Sequence, residues 1–239
     1  MSAKLKQASI TAIRDCMAVQ PGEKVLVVSD VNKREIGLSL FETAKELGHE
    51  SLYMEMKPLT VNGEEPPAYI AAAMEKFDVI FIPTTTSLTH TKARRDASFL
   101  GARVATFPNI TKPIMIRGMN ADYHKIKALC RKVKDRLEGG DRVTIKTALG
   151  TDLSFSIKGR NIYESKGLFH DKGESGNLPT GETFLAPVEG TAEGTLVIDG
   201  SLASFGKIKD KPLVLTVKEG SVTEISGSDF AKPLTELLD

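Results

Sequence analysis

The apolar positions along the chain fall into two rhythms. Up to about residue 138, helix-spaced stripes alternate with short unbroken apolar runs. Leu5, Ala8, Ala12, Ile13, Cys16 and Met17 share one helical face, and Pro21-Gly22 stops that helix. Lys24–Val28 (KVLVV) is the β-branched run of a strand buried on both faces. The next stripe predicts a helix from about Asn32 to Leu47, closed by Gly48, and Glu50–Met56 alternates as a second strand. Pro66-Pro67 opens a helix through Lys76. Asp78–Pro83 reads as a third strand, Thr91–Leu100 as a helix and Arg103–Phe107 as a fourth strand. Asp122 is placed to cap a long helix through Glu138, with Ile126, Leu129, Cys130, Val133 and Leu137 as its stripe.

After Gly139-Gly140 the helical period disappears. Asp141–Thr147, Leu153–Ile157, Gly194–Asp199, Leu213–Val217 and Val222–Ile225 read as strands between glycine-containing turns. Glu219-Gly220 joins the last two as a hairpin, and only Phe230–Leu238 is helical again. The pattern predicts an α/β protein. An open parallel-sheet domain of Rossmann or flavodoxin-like kind occupies residues 1–138, and a β-rich α+β domain occupies 139–239.

Composition narrows the function classes. Hydrophobic residues make up 41% and charged residues 26% of 239 positions, which is ordinary for a folded chain. The 32 basic and 31 acidic residues nearly cancel, against a dedicated nucleic-acid or polybasic membrane binder. Tryptophan is absent and aromatics are 6%, so a stacking platform for single strands lacks material. No apolar run approaches a bilayer span, and MSAKLKQASI lacks the apolar core of a secretion signal. The expected location is the cytoplasm, with Cys16 and Cys130 as reduced core residues.

Local motifs are sparse. The first strand is followed by Ser29-Asp30-Val31-Asn32-Lys33, with no glycine-rich fingerprint, and no phosphate loop exists. Open α/β sheets bind ligands at the carboxyl ends of their strands, which makes Ser29-Asp30 and Thr84–Ser87 formal candidates; capping and turn roles account for them more simply. G-x-S-x-G is absent, and Gly173-Glu174-Ser175-Gly176 lacks its spacing. His49, His90, His124 and His170 form no local metal pair. His49 and His124 read as surface residues, His90 has the better functional position at a helix start, and His170 lies in a glycine-flanked loop. In Gly176–Pro187, Pro179 and Gly181 would fix Glu182 at the start of a strand, where a carboxylate can bind a divalent cation or act as a base. A surface turn with an incidental acid is the competing reading.

Asn177-Leu178-Pro179-Thr180-Gly181-Glu182-Thr183-Phe184 resembles the N-x-P-x-[EG]-E-[VI]-[FY] motif of the thermophilic-type metallo-aminopeptidases, peptidase family M29. Val19–Val28, Ser87–Ala93 with Gly101–Ala105, and Gly190–Gly200 resemble further stretches of that family, in its order. The resemblance implies a homodimeric two-metal peptidase that releases N-terminal amino acids from peptides, with Zn, Co or Mn activating a water. It maps one metal ligand, Glu182, and leaves catalytic and substrate-binding residues unassigned. The family's other ligands lie in a further C-terminal stretch, so the expectation is an incomplete metal site and weak or absent peptidase activity in this chain. Two alternatives accompany it: a non-catalytic binding or assembly module of the same fold, and a mononuclear-metal relative of the dihydroxypyridine dioxygenase type, which shares the superfamily.

Overall fold

A computed structural model describes residues 2–238. The chain divides into two compact units: one runs to Lys132 and takes in Glu164–Thr183, and the other comprises Val133–Tyr163 and the chain from Phe184 onward. The segment leading to Glu182 is thus part of the first unit, where the sequence had assigned it to the second domain.

The first unit is an α/β module. Its helices are α1 (Ala3–Ile10), α2 (Arg34–Glu46), α3 (Ala68–Met74), α4 (Lys92–Phe99), α5 (Lys112–Gly118) and most of α6 (Tyr123–Leu137). Strands β1 (Val25–Asp30), β3 (Val79–Thr84) and β4 (Arg103–Pro108) are legible as apolar runs, and β2 (Ser51–Met56) as an alternating one. Two short strands follow, β7 (Tyr163–Ser165) and β8 (Ser175–Asn177). The sheet runs β2-β1-β3-β4-β8, with every pairing parallel. Alternation splits its strands between two cores: Val25, Val27, Phe81 and Phe107 face one side with α1 and α2, while Leu26, Val28, Ile80 and Ile82 face the other with α3 and α4. That two-sided burial is why β1, β3 and β4 carry no polar alternation.

Three local features departed from the expected pattern. The first helix continues as a π-helix over Thr11–Cys16, its wider turn bringing Ala12, Ile13 and Cys16 into the core. Helix α5 falls in a stretch with no predicted element; Thr111 caps it, accepting the Ile114 N–H. On α6, Cys130 is buried but Leu129 is 62% exposed, so the predicted stripe is only partly a core face. Asp122 does cap α6, accepting the N–H groups of His124 and Lys125 at 3.0 and 3.1 Å.

The second unit is antiparallel. It holds β5 (Arg142–Lys146), β6 (Asp152–Ser156), β10 (Glu193–Ile198), β11 (Ser201–Leu202), β12 (Gly206–Lys207), β13 (Leu213–Lys218) and β14 (Ser221–Gly227). The main sheet has the order β14-β13-β10-β6-β5, and β11-β12 form a separate ribbon. Helix α7 (Ala231–Leu238) contributes Leu234 to a small core with Leu213 and Leu215. Glu219 and Gly220 turn from β13 into β14 with φ of 47° and 78°. Positive φ at both positions suits a two-residue hairpin, as Glu219-Gly220 had suggested. Strand β9 (Glu182–Phe184) pairs with β7 in a further two-stranded sheet. Among the described residues, no helix is long and apolar enough to cross a membrane.

Candidate functional site

The polar chemistry of the first unit gathers at the carboxyl ends of β4 and β8 and in the chain that follows them. Strand β8 enters the sheet with Thr106 opposite Asn177. Thr106 Oγ1 donates to Asn177 Oδ1 at 2.6 Å, and Thr89 Oγ1 donates to the same atom at 2.9 Å. The two threonine hydroxyls are themselves 2.9 Å apart. The Leu178 N–H reaches the Thr106 carbonyl at 2.9 Å, burying Leu178. The Leu178–Pro179 peptide bond is cis. Pro179 then lies against Gly118, where a Cβ would come within 2.4 Å of Pro179 Cγ.

The anchoring continues past the proline. Thr180 Oγ1 and Ser165 Oγ share a hydrogen bond of 2.7 Å. Gly181 packs on Ile126, and Thr183 Oγ1 donates to the Cys130 carbonyl at 3.0 Å. Glu182 therefore sits between anchored neighbours at the first position of β9, with its own side chain exposed. From Asn177 to Thr183, the side chains of Asn177, Leu178, Pro179, Thr180 and Thr183 are engaged with the rest of the unit, and the Glu182 carboxylate is exposed.

Glu182 does not make a metal site by itself. Among the described residues, no group of three or more His, Cys, Asp or Glu is placed to hold a metal ion. A divalent transition metal takes about four ligands, of which at least three come from protein. The described residues thus do not fit the metal centre that the resemblance implied.

The remaining sequence candidates separate rather than converge. Asp30 is fully buried, and its carboxylate accepts the Asn32 N–H at 3.0 Å and the Thr85 hydroxyl at 3.0 Å, with a shorter bond from the Thr85 N–H. This is the capping role expected of it. Thr84 is buried and donates to the Thr86 carbonyl at 2.7 Å. Ser175 accepts from Arg94 at 2.9 Å and so belongs to the network behind β8, not to a nucleophile. His90 and His124 are exposed, and His170 is exposed with Nε2 2.9 Å from the Asp15 carbonyl. His49, expected on the surface, is half-buried, and its Nδ1 is shielded without a partner. Cys16 and Cys130 are buried free thiols, and burial, helped by Asp15, pushes the Cys16 thiol well above its ordinary range. Such a thiol is unreactive.

The second unit carries a groove that no sequence signal identified. Its volume is about 600 Å³, and Leu137, Asp141, Ile157, Arg160 and Tyr163 are among its walls. Arg160 is paired with Glu189. Tyr163 stacks on Phe184, with ring centroids 5.5 Å apart. The groove forms where the end of α6 meets the turn after β6, positions far apart in sequence.

Comparison with known proteins places this arrangement. The model of the 2,5-dihydroxypyridine 5,6-dioxygenase family, NicX, matches residues 4–239. Aminopeptidase PepS of Streptococcus thermophilus is 25% identical over 92% of this chain and 69% of its own length. Among solved structures, the 2,5-dihydroxypyridine dioxygenase of Pseudomonas putida KT2440 superposes with a TM-score of 0.80 at 17% identity, covering all of this chain and 72% of that one. Wild-type AmpT of Thermus thermophilus gives 0.62 at 16% identity, covering 99% and 74%. The aminopeptidase relation expected from the motif at Glu182 therefore holds at a distance. By the match over residues 4–239, the chain belongs to the 2,5-dihydroxypyridine 5,6-dioxygenase family.

Proposed function

We propose that the chain serves ring-cleaving chemistry of the dihydroxypyridine dioxygenase type, binding a small hydroxylated aromatic ring. The family match over residues 4–239 carries this reading. The chemistry of the sheet edge agrees with it. Thr85, Thr89, Thr106 and Asn177 offer hydroxyls and an amide, and the buried carboxylate there, Asp30, is already engaged by Thr85 and Asn32. Neutral donors and acceptors suit ring hydroxyls. Glu182 is the exposed carboxylate this reading would turn toward a divalent metal; the described residues alone supply no metal-centred step.

The aminopeptidase reading is the second, and its support is the PepS likeness over 92% of the chain. One paired experiment separates the two. The protein is incubated with 2,5-dihydroxypyridine and Fe²⁺ in air, following oxygen uptake and melting temperature. A parallel sample receives leucine p-nitroanilide with Zn²⁺, Co²⁺ or Mn²⁺. The expected result is that the dihydroxypyridine raises the melting temperature or is consumed with oxygen, and that nitroaniline is not released. Chelator-sensitive nitroaniline release, or no response to the dihydroxypyridine in either measurement, overturns the proposal.

A further inference from the structure

The order β2-β1-β3-β4-β8 makes the chain leave β1 toward one side for β2 and return on the other side for β3. Open α/β sheets form a crevice outside the carboxyl ends of the strands at such a reversal. Here the ends of β1 and β3 are pinned together by Asp30 and Thr85, and Asn32 Nδ2 adds a bond to Thr85 Oγ1 at 3.2 Å. Beside this junction lies a cavity of about 230 Å³, lined by Asn32, Lys33, Glu35, Ile36, Ile110 and Lys112 among others. Ile36 and Ile110 are 4% and 3% exposed and give it an apolar floor.

The side chains that line it include two cations and one anion, and the buried Asp30 carboxylate behind Asn32 is already engaged by Thr85 and the Asn32 N–H. Lys112 is neutralised by Glu35. Lys33 Nζ donates to the neutral amide oxygen of Asn109 at 3.3 Å. Asn109 is held in place by its own N–H, which reaches the Thr84 carbonyl at 2.8 Å. The lining therefore carries one cation, Lys33, whose partner is a neutral amide, together with the apolar Ile36 and Ile110. The volume lies below the roughly 300 Å³ at which drug-sized pockets begin.

We propose that this cavity binds a small organic monoanion. Its carboxylate is taken by Lys33 and the Asn32 amide, and its short apolar body rests on Ile36 and Ile110. The site is separate from Glu182 and does not depend on which reaction the family assignment implies. No dinucleotide is expected, because the turn after β1 has no glycines to admit a pyrophosphate.

Butyrate and its neutral isostere butyramide are the probes, titrated into the ¹⁵N-labelled protein at low ionic strength. Butyrate should shift the amide signals of Asn32, Lys33 and Ile110 and bind about tenfold more tightly than butyramide. Lys33→Gln should weaken butyrate about tenfold and leave butyramide unchanged. Lys76→Gln, an exposed change before β3 at the amino end of the parallel sheet, should do neither. Added salt should weaken butyrate selectively. Equal binding of acid and amide, equal butyrate binding by wild type and Lys33→Gln, or shifts confined to other residues would each overturn the proposal. So would the absence of shifts at about 10 mM butyrate, a concentration that saturates even a millimolar site.

Discussion

Asn177 Oδ1 accepts two hydroxyl protons, from Thr106 at 2.6 Å and from Thr89 at 2.9 Å. Thr106 is 2% exposed, so this junction ties the exposed end of β8 to the interior of the parallel sheet. Thr106→Val keeps the shape and removes the hydroxyl. A loss of about 0.5–1.5 kcal/mol is expected by urea denaturation. Thr89→Val should cost less than Thr106→Val, because Thr89 is less buried and water can replace it.

Gly118 closes α5 where Pro179 presses on the helix. At an unhindered helical position, Gly→Ala stabilises by about 0.5–1 kcal/mol. Here the added Cβ would sit 2.4 Å from Pro179 Cγ and 2.6 Å from its Cβ. Gly118→Ala should therefore destabilise, by about 1–3 kcal/mol. A rise in the denaturation midpoint would show that the segment before Glu182 is not held against α5.

Arg103 at the start of β4 is almost buried and makes two bonds to Glu23, at 3.0 and 2.6 Å. Burial raises the Glu23 carboxyl, but the bonds from Arg103 and the Gln20 N–H outweigh it and leave Glu23 below its ordinary value. Glu23→Gln strips the guanidinium of its counter-charge while leaving a similar shape. A loss on the order of 3 kcal/mol is expected by chemical denaturation. Replacing both partners with apolar residues should cost less than either single change, the result a double-mutant cycle reports.

Glu55 lies beside Arg34 and Tyr53 on the outer strand. The Arg34 hydrogen bonds, with help from Tyr53, lower its carboxyl from 4.5 to about 2. A depressed folded-state value favours the native protein above the unfolded value. That contribution is complete above about pH 4.5 and fades as pH falls toward about 2. Melting temperature followed from pH 6 to pH 2 should drop more steeply for wild type than for Glu55→Gln, within that window. Parallel curves would remove the ion pair from the account.

Strands β1, β3 and β4 were readable because burial on both faces leaves an unbroken apolar run, β2 from its alternation, and Asp122 as a cap from its position before a stripe. Helix α5 was missed because Pro108–Asn120 has neither a clear stripe nor a long apolar run. Strand β8 was missed for a different reason. Ser175-Gly176-Asn177 has no strand propensity, and it becomes a strand only because the edge of β4 offers it a ladder. His49 was misread because a glycine before it signals a surface turn, while its burial depends on what packs over that turn.

The candidate sites divide in the same way. Sequence alone determined the α/β alternation, the β-rich second half and the segment carrying Glu182, since these rest on local periodicity and on a contiguous motif; the antiparallel pairing of that half is tertiary. Tertiary structure alone decided that Thr89, Thr106 and Asn177 meet at one atom, and that Lys33 comes beside Asn109 at the reversal of the sheet. It also decided that Tyr163 stacks on Phe184 over a groove. Each of these pairings joins residues brought together only by strand order and packing, and neither leaves a periodic trace along the chain.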